Sequence, residues 1–419
     1  MPAEQSVEVA VVGAGPAGLA AGLAIAEMGF KTAVIGPAAD PRDGRSAALF
    51  QGSIALLKRL GAWPGIAGAA EPLNAIRLVD DTGALFRAPE VTFRSSEIGH
   101  DAFGYNVPNA VLTAALERVA SDRVTRVVTP AVTCIDIQSG HVVLTAAAGR
   151  EVTARLVVAS DGRGSQCRSA AGIAAKSWTY DQGAVVCGFA HSRPHNRIST
   201  EFHRRSGPLT VVPGPGNTSN LVWVETRDEA RRIAELDDAA FVLELGRHIG
   251  GLVGTLSSIT PRRMFPLSGQ TAETLGQNRI ALVGEAGHVM PPIGAQGLNL
   301  SLRDAATIAD IARDAREAGQ DIGGPAALAQ YDRARRPDVT SRIWTVDLLN
   351  RSLLSSITPV HMLRGLGLFA LSTFGPLRRS AMQAGIAPDG LAPSLMRDPD
   401  AGVVESDARP LDAHSARRA

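Results

Sequence analysis

Few folds can accommodate the run VEVAVVGAGPAGLAAGLAIAEMG, Val7 to Gly29. Val7, Val9, Val11 and Val12 form the β-branched run of a short buried strand. Gly13-x-Gly15-x-x-Gly18 follows, and an Ala/Leu-rich helix then runs to Gly29. Each glycine has a physical task. Gly13 permits the tight turn out of the strand, Gly15 lets the backbone approach a pyrophosphate, and Gly18 lets the helix pack on the sheet. The helix N-terminus then presents free N–H groups and a positive dipole end to the phosphates. Glycines at this spacing carry weight because a strand precedes them and a helix follows.

The remaining composition narrows the class. A chain of 419 residues suggests two to three domains. With 45% hydrophobic and 20% charged residues it has an ordinary globular balance. A formal net charge of +1 argues against a nucleic-acid surface. Basic residues are almost all arginine, the lysines being Lys31, Lys58 and Lys176, which reads as genome-wide bias. Cys134, Cys167 and Cys187 form no CxxC, which suits a reducing compartment, and each reads as a small core residue. MPAEQSVEVA lacks a basic n-region and a long apolar core, so no signal peptide is expected. No run approaches the ~20 apolar residues of a membrane span. The expectation is a cytoplasmic protein, at most peripheral to the inner membrane surface.

Down the chain, Lys31–Ile35 reads as a second parallel strand. A dinucleotide fold ends this strand on an acid that holds the adenosine ribose. Gly36 stands there instead, with Asp40 and Asp43 in the loop beyond. Asp43 to Trp63 reads as a loop and a helix, with Ala48, Leu49, Ile54, Leu56, Leu57 and Leu60 on its apolar face. Arg45 precedes it, and its position supports a phosphate contact and a solvated charge equally. Residues 73–94 read as a hairpin turning near Asp81-Thr82-Gly83, and Pro108–Ala120 as a helix. Arg123–Val128, Ala131–Gln138 and His141–Ala147 read as strands.

Arg155–Ser160 is another buried strand, running into Asp161-Gly162, where the carboxylate serves either a ligand or an ordinary turn. From Tyr180 to Leu267 alternating strands imply a mostly antiparallel layer, interrupted by helices around Asp228–Leu236 and Asp238–His248. Arg279–Val283 returns as a buried strand and leads into Gly284-Glu285-Ala286-Gly287-His288 and then PPIGAQGLN, Pro291 to Asn299. His288 reads as a turn cap ahead of an acid/base group. Gly323–Leu349 is helical, and Leu353–Gly385 is apolar at helical spacing, with Leu353, Ile357, Val360, Leu363, Leu371 and Phe374, broken at Pro359. That segment serves either as a layer over the core or as a surface for a membrane or protein complex.

Gly13–Gly18, Asp161-Gly162 and Gly284–Asn299 with Asp304, in that order, resemble the class A FAD-dependent aromatic hydroxylases, the p-hydroxybenzoate hydroxylase-like flavin monooxygenases. PPIGAQGLN, DGRSAAL and the C-terminal stretch from Leu348 to Gly385 are most similar to the branch that hydroxylates the ubiquinone ring. The resemblance implies that Gly13, Gly15, Pro16, Ala17 and Gly18 hold the FAD pyrophosphate, and that Arg45 touches the cofactor. Asp161 and Gly162 would serve FAD and reductant. Gly284 and Glu285 would lie at the ribityl chain, Glu285 replacing an aspartate. Gly294, Gln296, Gly297, Leu298 and Asn299 would wrap the isoalloxazine pyrimidine edge. Pro292 would place its carbonyl near the substrate phenol, and no metal is implied.

The fold so implied is α/β: a Rossmann-like FAD-binding domain over 1–179 and 269–345, with a hairpin excursion near 73–99. A mostly antiparallel β-sheet substrate domain is inserted over 180–268. C-terminal helices at 346–398 and a flexible tail at 399–419 complete it. The implied activity is hydroxylation of a polyprenyl phenol through a C4a-hydroperoxyflavin, with NAD(P)H or a protein donor as reductant and O2 as co-substrate. An apolar channel near Met264–Leu267 would take the tail. A ubiquinone-biosynthesis complex and a peripheral membrane contact through the C-terminal helices are the implied partners. Rival readings are a hydroxylase of another aromatic or alkene, a flavin reductase, and a flavin-binding protein without monooxygenase activity.

Overall fold

The computed structural model describes residues 5–83, 89–354, 373–386 and 392–397. Its centre is a sheet of eight described strands, in which Ile280–Leu282, Glu151–Ala159, Gln5–Val12, Thr32–Gly36 and Thr125–Val128 lie side by side and parallel. Parallel strands are covered on both faces and so are apolar almost without alternation. Val9, Ala10, Val11, Val157, Val158 and Leu282 accordingly have no exposed surface. Each such aliphatic side chain contributes about 1.5–3 kcal/mol by burial.

The Pro16–Glu27 helix is buried from Gly18 to Ile25, packed between the sheet and the helices Gln296–Glu317 and Asn109–Arg123. Register then fixes where the loops emerge. Val12 lies opposite both Ile35 and Ala159, and Ala159 lies opposite Leu282. The turns at Gly13, Gly36, Ser160 and Val283 therefore leave the sheet at one carboxyl edge, where open α/β sheets bind ligands.

A second sheet of nine described strands runs in the order His288–Val289, Arg263–Ala272, Ala175–His191, Thr218–Thr226, Gly207–Gly214, Ile198–Arg204, Ala75–Asp80, Val91–Arg94, with Leu256–Ser257 beside Ala175–His191. The hairpin expected near 73–99 as an excursion of the first domain therefore belongs to this sheet. Its Ala75–Asp80 strand pairs parallel with Ile198–Arg204. Helices Arg227–Glu235 and Asp238–Ile249 cover one face, closing a core of Val185, Phe189, Trp223, Phe241 and Leu245. The other face carries Tyr180, Ala184, Val224 and Leu267, with Val186 and Val222 packed beside them. The edge strand His288–Val289 comes from the third glycine loop, so that loop is stitched into the second sheet.

Four further expectations change. Residues Ser46–Phe50 form a strand paired with Gly104–Pro108, and the helix begins only at Gln51. Leu49 and Phe50 are buried as strand residues, so their apolar character did not distinguish strand from helix. One helix, Pro325–Leu354, runs straight through the boundary expected at 345/346. Cys134 is exposed and so is not a core residue, whereas Cys167 and Cys187 are buried. Phe374, placed on an apolar face by its spacing, is 59% exposed. Ile357, Pro359, Val360, Leu363, Leu371 and the tail from 399 lie outside the described residues.

Candidate flavin site

Three loops meet at the carboxyl edge of the parallel sheet. Gly13 takes φ +110°, and its N–H donates to the Ile35 carbonyl at 2.8 Å. The Ser160 N–H donates to the Val12 carbonyl at 2.7 Å, and the Val283 N–H to the Ala159 carbonyl at 2.8 Å. These bonds lock the first, second and third loops to one another through the strand ends. The fit is tight where glycine serves packing. A Cβ on Gly13 would stand 2.2 Å from the Ser160 carbonyl oxygen, and one on Gly18 only 1.9 Å from that of Gly13. Where glycine would serve a ligand the situation reverses: Cβ atoms on Gly15, Gly162 and Gly297 would meet nothing within 4 Å.

Two helices aim their N-termini at this edge, Pro16–Glu27 and Gln296–Glu317. Neither has a side-chain cap or an acidic residue in its first turn. Asp237 and Ser165 cap two other helices, accepting from Ala240 N–H and Arg168 N–H, while Gln51–Arg59 and Asn109–Arg123 are uncapped in the same way, so it is the position at the sheet edge that sets these two N-termini apart. Uncapped N–H groups with the positive end of the dipole behind them suit the anionic parts of a ligand. Gly294 and Ala295 turn into the second helix in the left-handed region, at φ +66° and +53°. A cavity of about 450 Å³ opens over the first turn, lined in part by Gly13, Gly15, Gly36, Asp161, Gly162 and Gln166.

Several side chains singled out in the sequence turn out to organise the loops themselves. Asn299 is 1% exposed and uses its whole amide inside the protein. Its Oδ1 accepts from Phe50 N–H at 2.9 Å and Ser53 Oγ at 2.7 Å, while its Nδ2 donates to the Ala48 and Ala295 carbonyls at 2.8 and 2.7 Å. Any contact of Asn299 with a flavin therefore falls to its backbone. We expect Asn299→Ala to cost about 2–4 kcal/mol in urea denaturation, because a buried N–H and carbonyls lose their partner.

Asp161 accepts from Ser165 Oγ at 2.6 Å and from Cys167 N–H at 3.1 Å, which ties the second loop to the Gln166–Ala170 helix. Gln296 donates to the Gly294 carbonyl at 3.0 Å, and its Oε1 is buried without a protein partner. Pro292 and Glu285 are exposed on the same edge, and Leu298 packs partly into the core.

Arg45 is clamped by Asp43, its Nε and Nη2 donating at 2.8 Å each to the two carboxylate oxygens. These bonds raise the Arg45 pKa, burial opposes them, and the charges of Asp43 and Glu285 add to the rise. Arg45 lines a small cavity of about 60 Å³ with Val186, Cys187, Arg263 and Phe265, between the 42–45 loop and the second sheet. Of the segment Met264–Leu267, Phe265 lines this cavity and Leu267 packs on the same face. Met264 packs instead against the helix-covered core.

Of the residues that hold the third loop, the sequence reading carried Asp304 within the resemblance but without a role and His288 as a turn cap, and did not single out Arg303, Arg335 or Asp338. Asp304 has no exposed surface. Its Oδ2 accepts from Gly284 N–H at 3.0 Å and from His288 Nε2 at 2.6 Å, and its Oδ1 from Arg335 Nε at 2.7 Å. Arg335 and Arg303 both donate to Asp338 Oδ2, at 2.9 and 2.8 Å. Burial pushes the Asp304 pKa up, but His288 and Arg335 outweigh it, with the Gly284 N–H assisting, and hold the carboxyl at about 2. His288 therefore does not cap a turn: it lies in the His288–Val289 strand, buried, with its ring on Asp304. The signal for this cluster was the alternation of Arg and Asp along Arg303–Asp304 and Arg335–Asp338, whose pairing depends on tertiary contacts.

The FAD binding domain family matches residues 6–343. The chain is 35% identical over 404 residues to the ubiquinone hydroxylase UbiL of Rhodospirillum rubrum, spanning 94% of this chain and 93% of that protein. It is 28% identical to the 3-demethoxyubiquinol 3-hydroxylase of Escherichia coli over 90% of this chain and 98% of that protein. Among solved structures, the p-nitrophenol 4-monooxygenase PnpA of Pseudomonas putida shares the fold with a TM-score of 0.74 at 18% identity, covering 91% of this chain and 98% of that one.

Proposed function

Since the chain belongs to the FAD binding domain family, we propose that it is an FAD-dependent monooxygenase that hydroxylates the ring of a polyprenyl phenol in ubiquinone biosynthesis. The observation that carries this reading is the near full-length likeness to a ubiquinone hydroxylase, set on a sheet edge with two uncapped helix N-termini. Gly13, Gly15, Pro16, Ala17 and Gly18 would hold the pyrophosphate, and Gly284 and Glu285 the ribityl chain. The Gln296–Glu317 N-terminus, from Gly294 through Gln296, Gly297, Leu298 and Asn299, would hold the pyrimidine edge with backbone N–H groups. Arg45, oriented by Asp43, would lie against the cofactor. When bound and reduced, by NAD(P)H or by a protein donor, FAD supplies the activation of O2.

The protein's own part is orientation and exclusion of water. Pro292 is exposed, and its carbonyl would orient the phenol. The face bearing Ala184, Val186, Val222, Val224, Phe265 and Leu267 is apolar, which suits both a dry reaction site and a polyprenyl tail. No helix of the described residues is long and apolar enough to cross a membrane. We propose that a tail of this kind is delivered at the membrane surface, within a biosynthetic complex.

Deleting the gene and identifying the accumulated quinone precursor tests the assignment. We expect a polyprenyl phenol lacking one ring hydroxyl or a group derived from it, with the quinone restored by the wild-type gene. An unchanged quinone profile would overturn the ubiquinone assignment. Turnover of a simple soluble phenol in preference to a polyprenyl phenol would favour a hydroxylase of another aromatic compound.

A further inference from the structure

We propose that this chain grips the adenosine half of FAD without a carboxylate on the ribose, so that its cofactor site is indifferent to the adenosine 2′-hydroxyl. The inference rests on the FAD reading above. Dinucleotide folds place an acid at the end of the second strand, where it accepts from the ribose hydroxyls. The second strand here, Thr32–Gly36, ends on Gly36, which lines the cavity over the first glycine turn. That position has no room for a side chain. A Cβ on Gly36 would stand 2.7 Å from Ala14 N and 2.9 Å from Ala14 Cβ. An acid could be seated there only by pushing the glycine turn off the strand.

The acids downstream do not take over the task. Asp40 is turned to Arg42, accepting from its N–H at 2.9 Å. Asp43 is spent on Arg45 through both carboxylate oxygens. Asp161 does line the cavity, but from the other side. Its strand, Glu151–Ala159, is separated from Thr32–Gly36 by Gln5–Val12. Two strand spacings place it roughly 10 Å from the ribose position, and its two oxygens already accept from Ser165 and Cys167. The wall beyond Gly36 is apolar, formed by Pro37, Pro130, Ala131, Val132 and Ile135. Adenosine would therefore be held there by burial of its ring and by backbone groups, with no carboxylate committed to the 2′-hydroxyl.

The test is titration of the flavin-depleted full-length protein with FAD and with its 2′-deoxyadenosine analogue, followed by flavin fluorescence. We expect the two dissociation constants to agree within about threefold. A carboxylate-anchored ribose would lose roughly tenfold or more on removal of that hydroxyl, and such a ratio would overturn the inference while leaving the FAD reading intact. If neither flavin binds, both fall together. Gly36→Glu gives a second readout: FAD affinity is expected to fall, and a tighter complex with FAD would contradict the proposed grip.

Discussion

Gly15→Ala is expected to leave the empty protein as stable as the parent and to weaken FAD binding by roughly a hundredfold or more, about 3 kcal/mol. The asymmetry follows from the turn. Gly15 has φ −75°, an ordinary value for alanine, and a methyl there would meet no protein atom within 4 Å. Folding should therefore hardly register it, and thermal melts of the flavin-free variant should move by less than about 0.5 kcal/mol. The methyl would point at the ligand side of the turn, where the backbone has to approach the pyrophosphate.

Gly18→Ala is the complementary case. Its methyl would stand 1.9 Å from the Gly13 carbonyl oxygen and 2.4 Å from Ser160 Oγ. Overpacking of that kind costs about 1–3 kcal/mol or more, so both stability and flavin content should fall. Equal melting losses for the two variants, or normal FAD binding by Gly15→Ala, would mean that the turn is only a structural joint.

Asp304→Asn should be the most destabilising single substitution among the residues that hold the third loop, by about 3–5 kcal/mol, because it removes one of the two carboxylates paired with buried Arg335 and leaves Arg335 to share Asp338 with Arg303. The amide keeps the size of the carboxyl but cannot accept from Gly284, His288 and Arg335 with a full charge. The pH dependence supplies the sign. The folded carboxyl sits at about 2, below the ordinary aspartate value of about 3.9. Its contribution is therefore fully present above pH ~4 and lost as the pH falls toward ~2. The stability gap between parent and variant should narrow by about 2–3 kcal/mol across that window. A gap independent of pH would show that the charge is not what holds the loop. Flavin visible absorption gives a separate readout, since a displaced Gly284 moves the loop expected to contact the ring.

What the chain's letters disclosed depended on how local the physics was. Gly13, Gly15 and Gly18 act within one turn, so the strand, the helix and the ligand edge were all legible there. The return strand at Ile280–Leu282 was legible for the same reason. Ser46–Phe50 was misread because five apolar-leaning residues fit a strand or a helix equally. Only pairing with Gly104–Pro108, more than fifty residues on, decides between them. The hairpin Ala75–Arg94 was seen as a hairpin, but its membership of the second sheet rests on Ile198–Arg204. Asn299 was found by motif and given a ligand role, whereas its side chain turned out to bind Phe50, Ser53, Ala48 and Ala295. The Asp304–Arg335–Asp338 cluster joins two helices whose packing no spacing rule reveals.

The most direct measurement is the visible absorption spectrum of the purified full-length protein, with the released chromophore identified after denaturation. Yellow protein that releases FAD in about equimolar amount is the result expected if the three glycine loops form a single flavin cradle. Colourless protein that leaves the fluorescence of added FAD unchanged would contradict it.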